Sequence, residues 1–250
     1  LFPDRNVSQM STLFLKKTKM EDRIALVTGA NRGIGLEVCR QLAEAGYITI
    51  LTSRGADKGK AAADKLGHDK LRHMHLDVAD AESIDKVARQ VEDDYGRLDV
   101  LVNNAGIMYD TWQQAHTADM GQVDEAIRTN LMGPWRMCRA MIPLMQKHNR
   151  GRVVNVSSEA GSLKSMAGNT PAYSVTKAAL NALTINLAAG LQGSGILINS
   201  VCPGWVRTDL GGESAPRSIE RGAASIMWAV NIPDDGPSGG FYRDGEPISF

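Results

Sequence analysis

The sequence lacks an excess of charge of either sign: Lys plus Arg and Asp plus Glu number 28 each, so the formal net charge is zero at pH 7. Proteins that bind nucleic acid usually carry a basic excess or patch, so this balance argues against nucleic acid as the main partner. A long hydrophobic run is also missing, because the longest uncharged stretch, residues 178–206, is interrupted by Asn, Gln, Ser, Gly and Pro. The sequence therefore predicts no membrane-spanning helix and no membrane partner.

Cysteine is scarce as well. The three cysteines, Cys39, Cys138 and Cys202, lie far apart in the chain and form no CxxC pair. This usage predicts small buried thiols in a reduced, cytoplasmic protein rather than a disulfide framework. The five histidines show no metal-ligand spacing, so we expect no metal site.

The first twenty residues carry four bases and one acid and fit neither a signal peptide nor a core element. We expect residues 1–20 to be an extension that is disordered or was added for expression, and residues 21–250 to form one domain. In that domain, short runs rich in Val, Ile and Leu alternate with longer segments of helical periodicity. This alternation predicts an α/β fold, a single-domain doubly wound (Rossmann-type) parallel β-sheet with helices on both faces. Strands are predicted at 23–28, 47–53, 71–78, 98–106, 151–158 and 195–204, with a last short strand and turn within 239–248.

A glycine cluster follows the first predicted strand. The segment TGANRGIG, residues 28–35, places Gly29, Gly33 and Gly35 at the turn into a helix. Glycines let the backbone approach a pyrophosphate, and the helix N-terminus supplies N–H donors. The spacing differs from the standard dinucleotide fingerprint, but a simple tight turn needs one glycine rather than three. The cluster therefore favours a dinucleotide site.

The end of the second predicted strand distinguishes the two nicotinamide cofactors. An acid there binds the ribose 2′-hydroxyl of NAD(H), whereas an arginine accommodates the 2′-phosphate of NADP(H). The strand ends in LTSRG, with Ser53 and Arg54 and no acid, and Arg32 lies in the glycine turn. These cations favour NADP(H); the alternative is that Arg54 is an ordinary exposed side chain.

A tyrosine and a lysine lie four residues apart in PAYSVTKAALNAL, residues 171–183. At this spacing Tyr173 and Lys177 share one face of a helix. An ammonium beside a phenol lowers the pKa of the phenol, which makes a proton donor or acceptor usable near neutral pH. Taken alone, the pair fits a solvated helix face equally well.

Five motifs occur in one order along the chain: TGANRGIG, NNAG at 103–106, VNVSS at 154–158, YSVTK at 173–177 and PGWVRTD at 203–209. Together they resemble the classical short-chain dehydrogenase/reductase family. Within that family, CPGWVRTDL and GPSGGFYRDGEPI are similar to the carbonyl reductases. The resemblance covers residues 23–250.

The resemblance implies a role for each matching position. Tyr173 is the expected general acid/base, Lys177 binds the nicotinamide ribose, Ser158 holds the substrate oxygen, and Asn130 anchors a proton-relay water. Within the cofactor site, Asp77 and Val78 are expected at the adenine. The full set expected to bind cofactor is Gly29, Asn31, Arg32, Gly33, Ile34, Gly35, Ser53, Arg54, Asp77, Val78, Asn104, Ala105, Gly106, Tyr173, Lys177, Pro203, Gly204, Val206 and Thr208.

The expected activity is NADPH-dependent reduction of a ketone, aldehyde or quinone. An NAD(P)-dependent alcohol dehydrogenase working in oxidation would use the same residues. A nucleotide-sensing protein without catalysis predicts a broken set of Ser, Tyr and Lys, and here the set is intact. The substrate is not identified: Tyr109, Trp112, Met166 and Trp205 fit either an apolar pocket or local packing.

The sequence departs from the common family pattern near the site. Ser158 and Tyr173 are fifteen residues apart, slightly more than is common, and Glu159 in this enlarged loop fits either the substrate site or solvent. The loop after residue 209 is short and rich in Gly and Ser, which suggests an open or mobile lid.

The segment from Ala178 onward predicts self-association. Leu180, Leu183, Leu187 and Leu191 recur at helical spacing and should pack on the sheet. A second stripe, formed by Ala178, Ala182, Ile185 and Ala189, carries no charge, whereas the outer face of a monomer's helix normally does. In the resembled family, oligomers pair through this helix and the one before it, and the insertion that blocks such pairing is absent here. We expect a homodimer or homotetramer; the alternative is that a loop of the same chain covers the stripe.

Overall fold

A computed structural model describes residues 22–250. Its eight strands form one sheet in the order β3-β2-β1-β4-β5-β6-β7-β8, in which β8 alone pairs antiparallel to its neighbour. The strands are β1 Ile24–Val27, β2 Ile48–Ser53, β3 Leu71–His75, β4 Val100–Asn103, β5 Gly151–Val156, β6 Ile196–Val201, β7 Phe241–Arg243 and β8 Glu246–Pro247. The helices are α1 Gly33–Glu44, α2 Ala56–Leu66, α3 Ala81–Tyr95, α4 Met120–Ala126, α5 Gly133–Gln146, α6 Pro171–Gly190 and α7 Ile219–Asn231. A π-helical turn, Ile127–Met132, joins α4 to α5.

Helices cover both faces of the sheet, which confirms the predicted doubly wound α/β fold. One core layer packs side chains of α1, α2 and α7 on the sheet, among them Val38, Leu42 and Ile226. The other layer packs α3 and α5, with Val87 and Met141 fully or nearly fully buried. The strands are apolar on both faces because both faces are covered.

The structure differs from the predicted elements in one helix and at the ends of several strands. Helix α7 was not predicted; it carries Gly222, whose backbone lies so close to Val206 that an added Cβ would be 2.6 Å from that side chain. The predicted strands 71–78, 98–106 and 195–204 each end three residues early, at His75, Asn103 and Val201, and the predicted strand 151–158 ends two residues early, at Val156. The residues beyond them turn away from the ladder into loops at the carboxyl edge of the sheet.

The loops after the parallel strands meet at this edge, where ligands bind in open α/β sheets. No helix within residues 22–250 is long and apolar enough to cross a membrane. The predicted N-terminal extension, residues 1–20, lies outside the described residues.

Candidate active site

The glycine turn after β1 packs tightly against the loop after β4. Gly29 has φ +62°, and a Cβ there would lie 2.8 Å from the Cα of Ala105. A Cβ on Gly35 would lie 2.5 Å from Nδ2 of Asn104. Asn104 uses that amide nitrogen to donate to the carbonyls of Thr28, at 2.8 Å, and Gly29, at 3.1 Å. The turn is thus held in one conformation that side chains larger than hydrogen would disrupt.

Thr28 is a residue of this site that sequence reasoning missed. Its hydroxyl accepts from the N–H groups of Asn104 and Ala105, both at 3.0 Å, and it is buried. It therefore fixes the loop after β4 to the glycine turn. The only available signal was its place at the head of TGANRGIG, to which no role was attached.

The N-terminus of α1 is a suitable cradle for a pyrophosphate. Its N-cap residue, Arg32, makes no side-chain capping hydrogen bond, which leaves the first N–H groups of the helix for an anion. Asn31 and Ile34 are partly exposed in the same turn. Arg32 itself is exposed and ion-paired with Asp209 from the loop after β6. The residues present fit the phosphates of a dinucleotide.

The end of β2 presents one uncommitted cation. Ser53 is buried, and its hydroxyl donates to the carbonyl of Gly55 at 2.8 Å and lies 3.2 Å from Nε2 of His73. Arg54 is exposed and makes no ion pair or side-chain hydrogen bond with any other residue of the described chain. Of the two arginines predicted to bind a 2′-phosphate, Arg54 therefore has no partner among residues 22–250, whereas Arg32 is ion-paired with Asp209.

The loops after β3 and β6 complete the cleft. Asp77 follows β3 and accepts from the N–H of Ala79 at 2.9 Å, and Val78 is buried. After β6, Pro203 and Val206 are buried and Gly204 has φ +77°. The methyl group of Thr208 lies 3.4 Å from the position of a Cβ on Gly33, so this loop reaches back over the glycine turn.

The four predicted catalytic residues come together from three elements. Tyr173, on α6, has its phenol close enough to the side chain of Ser158, which follows β5, for the two groups to interact. Lys177, one turn further along α6, donates from Nζ to the carbonyl of Val156 at 2.7 Å. Its Nζ lies 5.6 Å from the centroid of the Tyr173 ring.

Asn130 lies in the π-helical turn and is fully buried. Its amide forms a two-way clamp on Ile107, accepting from the N–H at 2.8 Å and donating to the carbonyl at 2.9 Å. Gly106 lies between the two helical elements: a Cβ there would be 3.5 Å from Oδ1 of Asn130 and 3.6 Å from Nζ of Lys177. The clamp and the lysine thus border the same space.

The pKa values of the pair differ from the prediction. Burial raises the pKa of Tyr173 to about 12, against the opposing effect of the nearby side chain of Ser158. Burial lowers the pKa of Lys177 to about 8. The prediction that the lysine lowers the pKa of the phenol is therefore wrong for these residues by themselves, because loss of hydration dominates the pKa of Tyr173 and the group that opposes it is Ser158, not Lys177. At neutral pH the phenol holds its proton and can donate it.

Apolar side chains border the substrate side of the edge. Tyr109, Trp112 and Trp205 are exposed, and Trp112, at 89%, is almost free of neighbours. Trp112 lines an open cavity of about 500 Å³ with Gln113, Gly168 and Asn169. Met166 is also exposed, and sequence reasoning missed Leu163 and Leu210, which are exposed in the same group of loops. Glu159 was expected either at the substrate site or in solvent. In the structure its carboxylate accepts a hydrogen bond from Arg243 at 2.6 Å.

The comparisons with known proteins agree with this geometry. The sequence model of the family described as short chain dehydrogenase matches residues 23–218. The chain belongs to the short-chain dehydrogenase family. The predicted family membership is thereby confirmed.

This short-chain dehydrogenase is similar to several characterised proteins. It is 34% identical to (+)-neomenthol dehydrogenase of Arabidopsis thaliana, over 91% of this chain and 98% of that protein. It is 34% identical to carbonyl reductase (NADPH) 1 of Sus scrofa, over 91% of this chain and 94% of that protein. The solved structure of an NADPH-bound carbonyl reductase from chicken fatty liver superposes with a TM-score of 0.83 at 27% identity, covering 92% of this chain and 100% of that chain.

No cluster of three or more His, Cys, Asp or Glu side chains within residues 22–250 could hold a metal ion. Next to the dinucleotide cradle, the edge of the sheet carries the hydroxyl groups of Ser158 and Tyr173 and the ammonium of Lys177.

Proposed function

We propose that this protein uses NADPH to reduce a carbonyl compound to the alcohol, with Tyr173 as the proton donor. It is an NADP-dependent oxidoreductase of the carbonyl reductase type, the activity named for its relatives from Sus scrofa and chicken. The observation that supports the role of Tyr173 is its position: the phenol lies beside the side chain of Ser158, and Nζ of Lys177 is 5.6 Å from its ring. Burial keeps the phenol protonated at neutral pH.

The proposed proton transfer follows from these positions. The glycine turn before α1 and Arg54 would hold NADPH, which when bound would supply the hydride for the carbonyl carbon, so that negative charge would develop on the carbonyl oxygen. The hydroxyls of Ser158 and Tyr173 both donate to that oxygen, and the phenolic proton of Tyr173 passes to it, which completes the alcohol. The ammonium of Lys177 stabilises the resulting phenolate until it regains a proton from solvent. Asn130, which borders the same space as Lys177, is proposed to hold a relay water on that route.

The substrate proposed for this site is a largely apolar ketone, large enough to extend from the catalytic residues into the open cavity beside Trp112. The support is the set of exposed apolar side chains on the loops after β4, β5 and β6, with Trp112 bordering the open cavity. Such side chains bury apolar surface of a ligand, worth about 25 cal/mol for each Å² removed from water.

The test is consumption of NADPH, followed by its absorbance, with a panel of ketones, aldehydes and quinones graded by size. We expect turnover with at least one apolar ketone, and Tyr173→Phe should abolish turnover while NADPH binding, measured by fluorescence titration, stays intact. The variant keeps the ring and removes only the hydroxyl. Retention of most of the wild-type kcat by Tyr173→Phe would exclude Tyr173 as the proton donor.

We also propose that the protein is a homodimer or homotetramer with two-fold symmetry. On α6, Leu180 and Leu183 are buried against the sheet as predicted, while Val175 and Ile185 are 58% and 45% exposed. Ala182 and Ala189 are exposed on the same outer face. Ala178 is half-buried, and the loop at Gly239 approaches one side of Ile185, but Ala182, Ile185 and Ala189 remain exposed within residues 22–250. An uncovered apolar face favours an interface. Light scattering tests this: a mass near 27.0 kDa would exclude the oligomer.

The proposed location is the cytoplasm. All three cysteines are unpaired and buried, and burial raises the pKa of Cys138 to about 12. Unpaired thiols of this kind are typical of proteins in a reducing compartment. Fluorescence microscopy of the tagged full-length chain tests the location.

A further inference from the structure

A buried carboxylate holds the start of the helix that carries Tyr173. Asp110 is 2% exposed and lies in the loop after β4. It precedes Ala172, the first residue of α6 that donates to it, by sixty-two residues. One oxygen, Oδ2, accepts from the N–H of Ala172 at 2.7 Å and from the N–H of Tyr173 at 3.2 Å. The second donor is the backbone of the proposed proton donor itself.

These two bonds account for every free N–H at the start of α6. The helix begins at Pro171, which has no N–H, and Ser174 already donates to the carbonyl of Thr170 at 2.9 Å. The residue at the N-cap position, Thr170, is in the left-handed region with φ +57° and makes no side-chain capping bond. Helices usually take their cap from that adjacent residue. Here the cap comes instead from a distant loop.

The loop that contains Asp110 also contains residues expected to bind the cofactor. It includes Asn104, Ala105 and Gly106, and the clamp of Asn130 holds it at Ile107. Asp110 therefore ties the backbone of Tyr173 to the segment that borders the dinucleotide cradle. The carboxylate has no ion-pair partner in the described chain, and its hydrogen-bond partners are the two N–H groups at the start of α6. Burial is the main cause of the raised pKa of Tyr173, and the charge of Asp110 acts in the same direction.

We propose that Asp110 is a positioning residue for catalysis, which sets the place of Tyr173 relative to the bound cofactor. The proposal rests on the proposed role of Tyr173. A small displacement of a reacting group slows the reaction strongly: a shift of about 1 Å lowers the rate on the order of a hundredfold. A cap that served only to stabilise α6 would instead change unfolding and leave kcat per folded molecule unaltered.

The experiment compares Asp110→Ala with a matched cap in the same region. Asp119 accepts from the N–H groups of Gly121 and Gln122, at 2.8 and 3.3 Å, and caps α4 rather than α6. For each variant, kcat, KM for the carbonyl substrate, NADPH affinity and thermal unfolding are measured on the folded full-length protein. We expect Asp110→Ala to lower kcat about tenfold to a hundredfold with NADPH affinity unchanged, and Asp119→Ala to lower stability alone.

The conservative variant Asp110→Asn keeps an acceptor oxygen in place, so we expect it to restore most of kcat. If Asp110→Ala does not fold, Asp110→Ser replaces it, since its shorter side chain cannot reach both N–H groups; a lowered kcat at unchanged NADPH affinity is then expected. Wild-type kcat in Asp110→Ala or Asp110→Ser, or an equal loss of kcat in Asp119→Ala, overturns the proposal. Tyr173→Phe is measured in parallel. If this variant is active, the proposed function fails. If it is inactive and removal of the Asp110 side chain leaves kcat unchanged, only the positioning role of Asp110 fails.

Discussion

Replacing Lys177 by Met should separate what this lysine does for activity from what it costs in stability. Lys177 is 4% exposed, and Met has a similar length and no charge. Burial lowers the pKa of the lysine from 10.5 to about 8. At about 1.36 kcal/mol for each pH unit, the folded state holds the charged lysine at a cost of about 3 kcal/mol relative to the unfolded chain.

The sign of the pH dependence follows from proton binding. Between about pH 8 and pH 10.5 the unfolded chain keeps the lysine proton and the folded protein loses it. The free energy of unfolding of the wild type therefore rises with pH across this window as far as Lys177 is concerned. Below about pH 8 the lysine is charged in both states and its full cost is present. The Met variant lacks this contribution at every pH.

The measurement is urea unfolding of both proteins without cofactor, followed by circular dichroism from about pH 7 to about pH 10.5. The relevant quantity is the difference in free energy of unfolding between variant and wild type, because all other titrating groups are shared and cancel. We expect the advantage of the Met variant to shrink by about 3 kcal/mol as the pH rises through the window. Curves that stay parallel would show that Lys177 is not desolvated as its burial indicates. Activity should be lost at every pH.

Three further changes test the cofactor site and the assembly. Arg54→Asp should weaken NADPH binding about tenfold to a hundredfold, because a charge-assisted bond is worth about 1.5–3 kcal/mol; an unchanged ratio of NADPH to NADH dissociation constants excludes Arg54 as the reader of the 2′-phosphate. Gly29→Ala should lower the melting temperature and NADPH affinity, since its left-handed φ costs a side chain about 1–2 kcal/mol and the new Cβ meets Ala105 at 2.8 Å; wild-type values for both contradict the close packing. Ile185→Glu, which places a charge on the exposed face of α6, should shift the light-scattering mass to the monomer without unfolding it, and an unchanged oligomer argues that α6 lies outside the interface.

Local motifs made most of the site predictable from the sequence. The glycine turn could be recognised because the glycines, the strand before them and the helix after them are contiguous in the chain. Tyr173 and Lys177 could be paired because helical geometry alone places residues four apart on one face. The alternation of apolar runs with amphipathic segments was likewise enough for the doubly wound sheet, since each face of each strand needs a helix to cover it.

Predictions failed where the outcome depended on parts of the chain that are distant in sequence. Thr28 and Asp110 were given no role, because their partners lie more than sixty residues away. No pattern in a single segment reveals such a pair. Helix α7 is a different case, because its segment carries local signals that were overlooked: Ser218 caps it by accepting from the N–H of Arg221, and its buried residues recur at helical spacing.

The sequence by itself determined the fold class, the position of the dinucleotide cradle and the identity of the chemical groups at the edge of the sheet. Only the tertiary structure decided how those groups behave. It showed that burial governs the pKa of both Tyr173 and Lys177 and raises the first while it lowers the second. It also showed that the start of α6 is capped by Asp110 from another loop. The physical reason is that spacing along a helix fixes which side chains are neighbours, whereas hydration and long-range hydrogen bonds depend on what the rest of the chain packs around them.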